Sequence, residues 1–108
     1  IYDLGLIYDV KVDDKNNVIA SGRVHFNSDK EAHIRYMAVD DTFKRQGIGT
    51  EIVKILEEYA VSNGATKMIL NARENAIKFY LSLGYLEIGP YQSDTGIPHK
   101  TMQKDFIS

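Results

Sequence analysis

Apolar and polar residues alternate with period two in three successive stretches at the start of the chain, and the spacing then becomes helical. Leu6 to Val12 sets Leu6, Tyr8, Val10 and Val12 on one face, and Val18 to Phe26 does the same with Val18, Ala20, Gly22, Val24 and Phe26. Ala32 to Val39 predicts a third strand, with Ala32, Ile34, Tyr36 and Ala38 on one face and His33, Arg35, Met37 and Val39 on the other. Such alternation is the mark of half-buried strands. The polar turns Asp13 to Asn17 and Asn27 to Lys30 are short, so these strands form an antiparallel meander. From Ile48 the apolar positions are Ile48, Ile52, Ile55, Leu56 and Tyr59, a helical face, with Glu51, Lys54, Glu57 and Glu58 opposite and expected in solvent. Asn63-Gly64 is a stop signal.

Thr66 to Leu70 then reads as a buried strand. Glu74 to Leu83 predicts a second helix packed on the sheet, and Tyr85 to Ile88 a further strand. Pro90 to Pro98 reads as a loop, and Lys100 to Phe106 as a closing strand. The sum is an α/β fold with a mixed sheet: an antiparallel meander followed by a βαβαβ unit. The segment from Ile34 through the helix to Leu70 is a crossover, so its strands should run parallel and its hand should be right.

Length changes the picture only by limiting it to one domain, spanning 1–108. The net charge of −2, with no basic cluster longer than Lys44-Arg45, gives no footprint for nucleic acid. No apolar run approaches the roughly 20 residues that span a bilayer, so no membrane partner is expected. Cys is absent, which removes thiol nucleophiles and thiolate metal sites. No His/Asp/Glu group has metal-ligand spacing, so no metal is expected. No secretory pattern opens the chain, and a cytoplasmic location is the expectation.

The segment most informative about chemistry joins the third strand to the first helix: Asp40-Asp41-Thr42-Phe43-Lys44-Arg45-Gln46-Gly47-Ile48-Gly49-Thr50. The first turn of a helix offers unpaired N–H groups and the positive end of its dipole. Two glycines remove side-chain bulk there, and Lys44 and Arg45 add charge, which describes a main-chain anion site. No Gly-Lys-Ser/Thr follows, and Ile52 stands where a dinucleotide fingerprint has its third glycine. A turn that needs glycine for steric reasons alone has the same pattern.

Met37-Ala38-Val39, followed by Lys44-Arg45-Gln46-Gly47-Ile48-Gly49 and a helix, resembles the acyl-CoA motif of the GNAT N-acetyltransferase superfamily, usually Arg/Gln-x-x-Gly-x-Gly/Ala. The run Asn71-Ala72-Arg73-Glu74-Asn75-Ala76-Ile77-Lys78-Phe79-Tyr80, ending in Leu83-Gly84-Tyr85, is similar to its second motif, and the two are separated by one helix and one strand. Two departures stand out: Lys44 leads the first motif, and Arg73 occupies a position where many members carry a cofactor-contacting Asn. Arg73 can reach a phosphate or an acidic acceptor instead.

The resemblance implies an acetyl-CoA-dependent N-acetyltransferase with an amine acceptor. It implies that Met37, Ala38 and Val39 offer backbone to pantetheine, and that Lys44, Arg45, Gln46, Gly47, Ile48, Gly49 and Thr50 hold the pyrophosphate. Asn71, Arg73, Asn75 and Tyr80 would border the cofactor, with Tyr80 protonating the departing thiolate. It also implies that the family's N-terminal strand and helices are missing from this segment, and a homodimer is compatible with it. His33 is a candidate general base, four residues before Met37 on what alternation makes the same face, with Arg35 beside it. His99 follows a loop that can cover an acceptor, and His25 reads as ordinary surface. Other readings are an acyltransferase working with a carrier-protein thioester, and a non-catalytic acyl-CoA-binding module, for which Tyr80 would have no use.

Overall fold

Six strands form a mixed sheet in the computed structural model, which describes residues 7–14, 17–40, 47–92 and 96–106. They are β1 (Ile7–Asp14), β2 (Asn17–Phe26), β3 (Glu31–Val39), β4 (Lys67–Arg73), β5 (Leu86–Gln92) and β6 (Pro98–Asp105), in the order β1-β2-β3-β4-β6-β5. Helix α1 (Ile48–Ser62) carries the chain from β3 to β4, and these two strands are parallel, as a crossover requires. The other neighbouring pairs are antiparallel. The expected α/β architecture is therefore the one observed.

The core lies between one face of the sheet and α1. Ile52, Val53, Leu56 and Ala60 of α1 are buried against Ala20, Val24, Phe26, Ala32, Ile34, Met68, Leu70 and Met102. The buried stripe is rotated from the expected one: Ile55 is exposed, and Val53 and Ala60 take its place. The rotation carries Glu57 out of solvent. Its carboxylate accepts a hydrogen bond from Tyr85 Oη at 2.7 Å and pairs with Lys104 Nζ at 3.2 Å. Glu57 thus ties α1 to the β5–β6 side of the sheet. A part-buried carboxylate persists because both partners are there to satisfy it.

The largest correction concerns β3. Arg23 of β2 pairs with Tyr36, but the next residue, Val24, pairs with Ile34, so Arg35 is an extra residue. This is a β-bulge, and it reverses the alternation that follows. Ala32 and Ile34 share the α1 face with Met37 and Val39, not with Tyr36 and Ala38. A Cβ placed on Gly22, the partner of Met37, would lie 3.0 Å from Met37 Sδ and 2.6 Å from Ile52 of α1. His33, Arg35 and Tyr36 face the other way.

Further differences are local. The second helix is split, with a tight 3-10 turn at Glu74–Ala76 before α2 (Ile77–Ser82), because the backbone of Arg73 is still extended. Strand β4 runs three residues past Leu70, to Arg73, and β5 and β6 take residues at both ends of the expected loop.

Candidate functional site

Strands β3 and β4 are in register from Glu31 opposite Lys67 to Ile34 opposite Leu70, and there their pairing ends. Beyond that point β3 continues on β2, out to Val39 opposite Ala20, while β4 continues on β6, out to Arg73 opposite His99. The sheet therefore opens into a V. The bulge at Arg35 lies at its apex, where a bend and added twist separate the two strands.

The V holds a cleft of about 1000 Å³. Its β3 wall includes Met37, Ala38 and Val39, and its opposite wall Asn71, Arg73, Asn75, Phe79 and Tyr80. Gly47, Gly49 and Thr50, at the amino end of α1, lie on its rim, while Ile48 packs against the core. Lys44, Arg45 and Gln46 lie outside the described residues. Gly47 has φ +81, in the left-handed region that side chains disfavour. Its carbonyl accepts the first helical bond, from Glu51 N at 3.1 Å. Gly49 sits where a Cβ would be 3.4 Å from the Phe79 ring, so α1 and α2 meet closely at the cleft's edge. Phe79 belongs to the site although the pattern did not single it out; its place one residue before Tyr80 is the only sequence signal.

Tyr80 is buried, with its ring edge-to-face against Phe79 at 5.0 Å and Tyr85 at 5.7 Å between centroids. Burial pushes its phenol up to about 12, well above the usual value. Its hydroxyl has no hydrogen bond among the described residues, where every fully buried side-chain oxygen has a partner. The hydroxyl is thus the part of the ring that opens onto the cleft. The neighbouring Tyr85 phenol is raised too, by burial first and then by the charge of Glu57.

His33 does not line the cleft. It is buried on the face opposite α1, against His25 at 5.9 Å, and its Nδ1 accepts from Asn27 Nδ2 at 3.1 Å. Arg35 donates from Nε to His25 Nε2 and from its terminal nitrogen to Asn27 Oδ1 at 3.2 Å. His25 is therefore part of a polar network rather than ordinary surface. Burial, then the Arg35 charge, then His25 push His33 down to about 4, against a smaller opposing effect of Glu31. His25 is lowered as well, mainly by burial and Arg35.

This has a consequence for stability. A histidine with a lowered native pKa binds fewer protons folded than unfolded between about 4 and 6.5. Its stabilising effect is complete above pH 6.5 and is lost as the pH falls towards 4. Urea unfolding should show stability from this group being lost over that window. His33→Gln should flatten the slope. Parallel curves for the two proteins would show that His33 keeps an ordinary pKa.

The acetyltransferase (GNAT) domain family model matches residues 8–106. The uncharacterized N-acetyltransferase YjcF of Bacillus subtilis is 33% identical over 97 residues, covering 89% of this chain and 69% of that protein. Among solved structures, an acetyltransferase from Bacillus cereus superposes with a TM-score of 0.82 at 19% identity, covering 93% of this chain and 73% of that one. An aminoglycoside 6'-N-acetyltransferase complexed with coenzyme A gives 0.82 at 17% identity, covering 96% and 75%. At these identities the structures speak to the fold.

Proposed function

The chain belongs to the GNAT acetyltransferase family and is an acetyltransferase, and from that premise we propose that it transfers the acetyl group of acetyl-CoA to an amine by direct attack on the thioester. The observation that carries this reading is the opening of β3 from β4 beyond Ile34 and Leu70, with the amino end of α1 at its rim. A V of that kind exposes main-chain amide edges between two strands, which suits the two amides of pantetheine, and the α1 terminus suits a pyrophosphate.

In this reading Met37, Ala38 and Val39 pair with pantetheine and Gly47, Gly49 and Thr50 hold the pyrophosphate, with Lys44, Arg45 and Gln46 in the turn before it. Asn75 borders the cofactor on the opposite wall, while Asn71, on the sheet face away from α1, accepts a hydrogen bond from Thr101. The acceptor nitrogen, after losing a proton to water, adds to the thioester carbonyl carbon. The oxygen that gains charge is stabilised by a β3 main-chain N–H. The C–S bond breaks, the nitrogen gives up its second proton to solvent to leave a neutral amide, and Tyr80 gives its proton to the thiolate and regains one from solvent. A phenol held near 12 stays protonated across the working range. His33, buried and bonded to Asn27, serves the sheet rather than the reaction.

Calorimetry checks the cofactor and thiol release checks the reaction. Acetyl-CoA should bind about 100-fold or more tightly than acetylated pantetheine, because charge-assisted bonds to the pyrophosphate are lost in the latter. Equal affinities would contradict an anion site at the α1 terminus. Thiol release that no amine stimulates would contradict the transfer.

A further inference from the structure

The α1 terminus lies on one face of the sheet, so a cofactor held there brings its thioester into the V from that face and leaves the opposite face to the acceptor. On β4, Met68, Leu70 and Ala72 are buried in the α1-side core, and alternation puts Ile69, Asn71 and Arg73 on the opposite face. Arg73 stands across from His99, as Asn71 stands across from Thr101, which donates to Asn71 Oδ1 at 2.7 Å.

The cleft-lining side chains are one-sided in charge. Arg35 and Arg73 line the cleft, and among the described residues that line it there is no Asp or Glu. Arg35 is held by His25 and Asn27. Arg73 is exposed and makes no hydrogen bond or ion pair among the described residues. It lies three residues beyond the apex at Leu70, about 10 Å along the strand. A guanidinium presented in this way attracts an anion and repels a polycation. Its planar fork matches the two oxygens of a carboxylate.

We propose that the acceptor is a small amine bearing a carboxylate, and that Arg73 binds that carboxylate. The inference rests on the acetyl-transfer reading above and deepens it. Arg73 then belongs to acceptor recognition and not to the cofactor, which separates its effects on the two substrates.

The test uses thiol release with acetyl-CoA and a panel of amino acids, the matching amino acid amides, phosphoethanolamine and spermidine. In parallel, acetyl-CoA affinity is measured by calorimetry. The best amino acid should exceed its amide in kcat/KM by about 10- to 100-fold, the worth of one charge-assisted contact. Arg73→Gln should bring the two within a few-fold of each other, and Arg73→Lys should restore part of the preference. Acetyl-CoA affinity should be unchanged in both variants. Preference for spermidine, an amide or phosphoethanolamine would overturn the inference while leaving acetyl transfer intact. So would a carboxylate preference that survives Arg73→Gln, or a tenfold loss of acetyl-CoA affinity in that variant, which would put Arg73 on the cofactor. Failure of the wild-type protein to bind acetyl-CoA would remove the transfer reading and this inference together.

Discussion

Replacing Gly47 and Gly49 together by valine should weaken acetyl-CoA binding by about 100-fold or more while the chain stays folded. Two effects add. Gly47 has φ +81, which a β-branched residue resists, so the turn must shift and its amides with it. Gly49 has room for a Cβ only at 3.4 Å from Phe79, and a larger side chain there fills the space a phosphate would approach. Losing two charge-assisted main-chain contacts would account for a factor of that size. The strain at Gly47 costs about 1–2 kcal/mol, within reach of ordinary domain stability. Calorimetry reads the affinity, and a cooperative thermal transition shows that the fold survives. Near-native affinity in a folded double variant would mean that the turn is there for chain geometry and that the pyrophosphate, if bound, sits elsewhere.

The second large effect is expected at Tyr80. Tyr80→Phe keeps the edge-to-face packing with Phe79 and Tyr85 and deletes only the hydroxyl. With the hydroxyl as the acid, turnover should fall by about 100-fold, and acetyl-CoA affinity should stay within a factor of about two. The loss should shrink with an acyl donor whose thiol is more acidic, since that thiolate leaves without help. Because burial holds the phenol near 12, it is still protonated at pH 10, and wild-type turnover should show no decline between pH 8 and 10 caused by its ionisation. Equal losses for every donor would make Tyr80 a packing residue.

Much of this architecture is legible in the pattern, because strands and an amphipathic helix advertise their periods locally. The meander, the crossover from β3 through α1 to β4, and the closing strands follow from alternation and turn chemistry alone. What escaped depends on partners distant in sequence or on a single residue. Glu57 looks like a solvent-facing charge until Tyr85 and Lys104, 28 and 47 residues further on, are seen to meet it. In the same helix Val53 is buried and Ile55 is exposed, a phase of the stripe that the apolar spacing alone does not reveal. The bulge at Arg35 moved Met37 away from the face of His33, which removed the argument for His33 as a neighbour of the thioester. A trace of the bulge is present in the sequence: the apolar pairs Ala32, Ile34 and Met37, Val39 each keep period two, but three positions separate Ile34 from Met37. Regular alternation permits only an even step.

Arithmetic makes that extra residue consequential in a way its chemistry does not. Ala32 to Val39, eight residues, runs beside Ala20 to Phe26, seven. Any substitution at Arg35 preserves this count and leaves the side chains beyond it pointing as they do. Deletion of Arg35 would set seven residues against seven: plain alternation would keep Met37 and Val39 in the core and Tyr36 on the far face, but the bulge, and with it the bend at the apex of the V, would be lost. The cleft thus tolerates a change of letter at this position far better than a change of length.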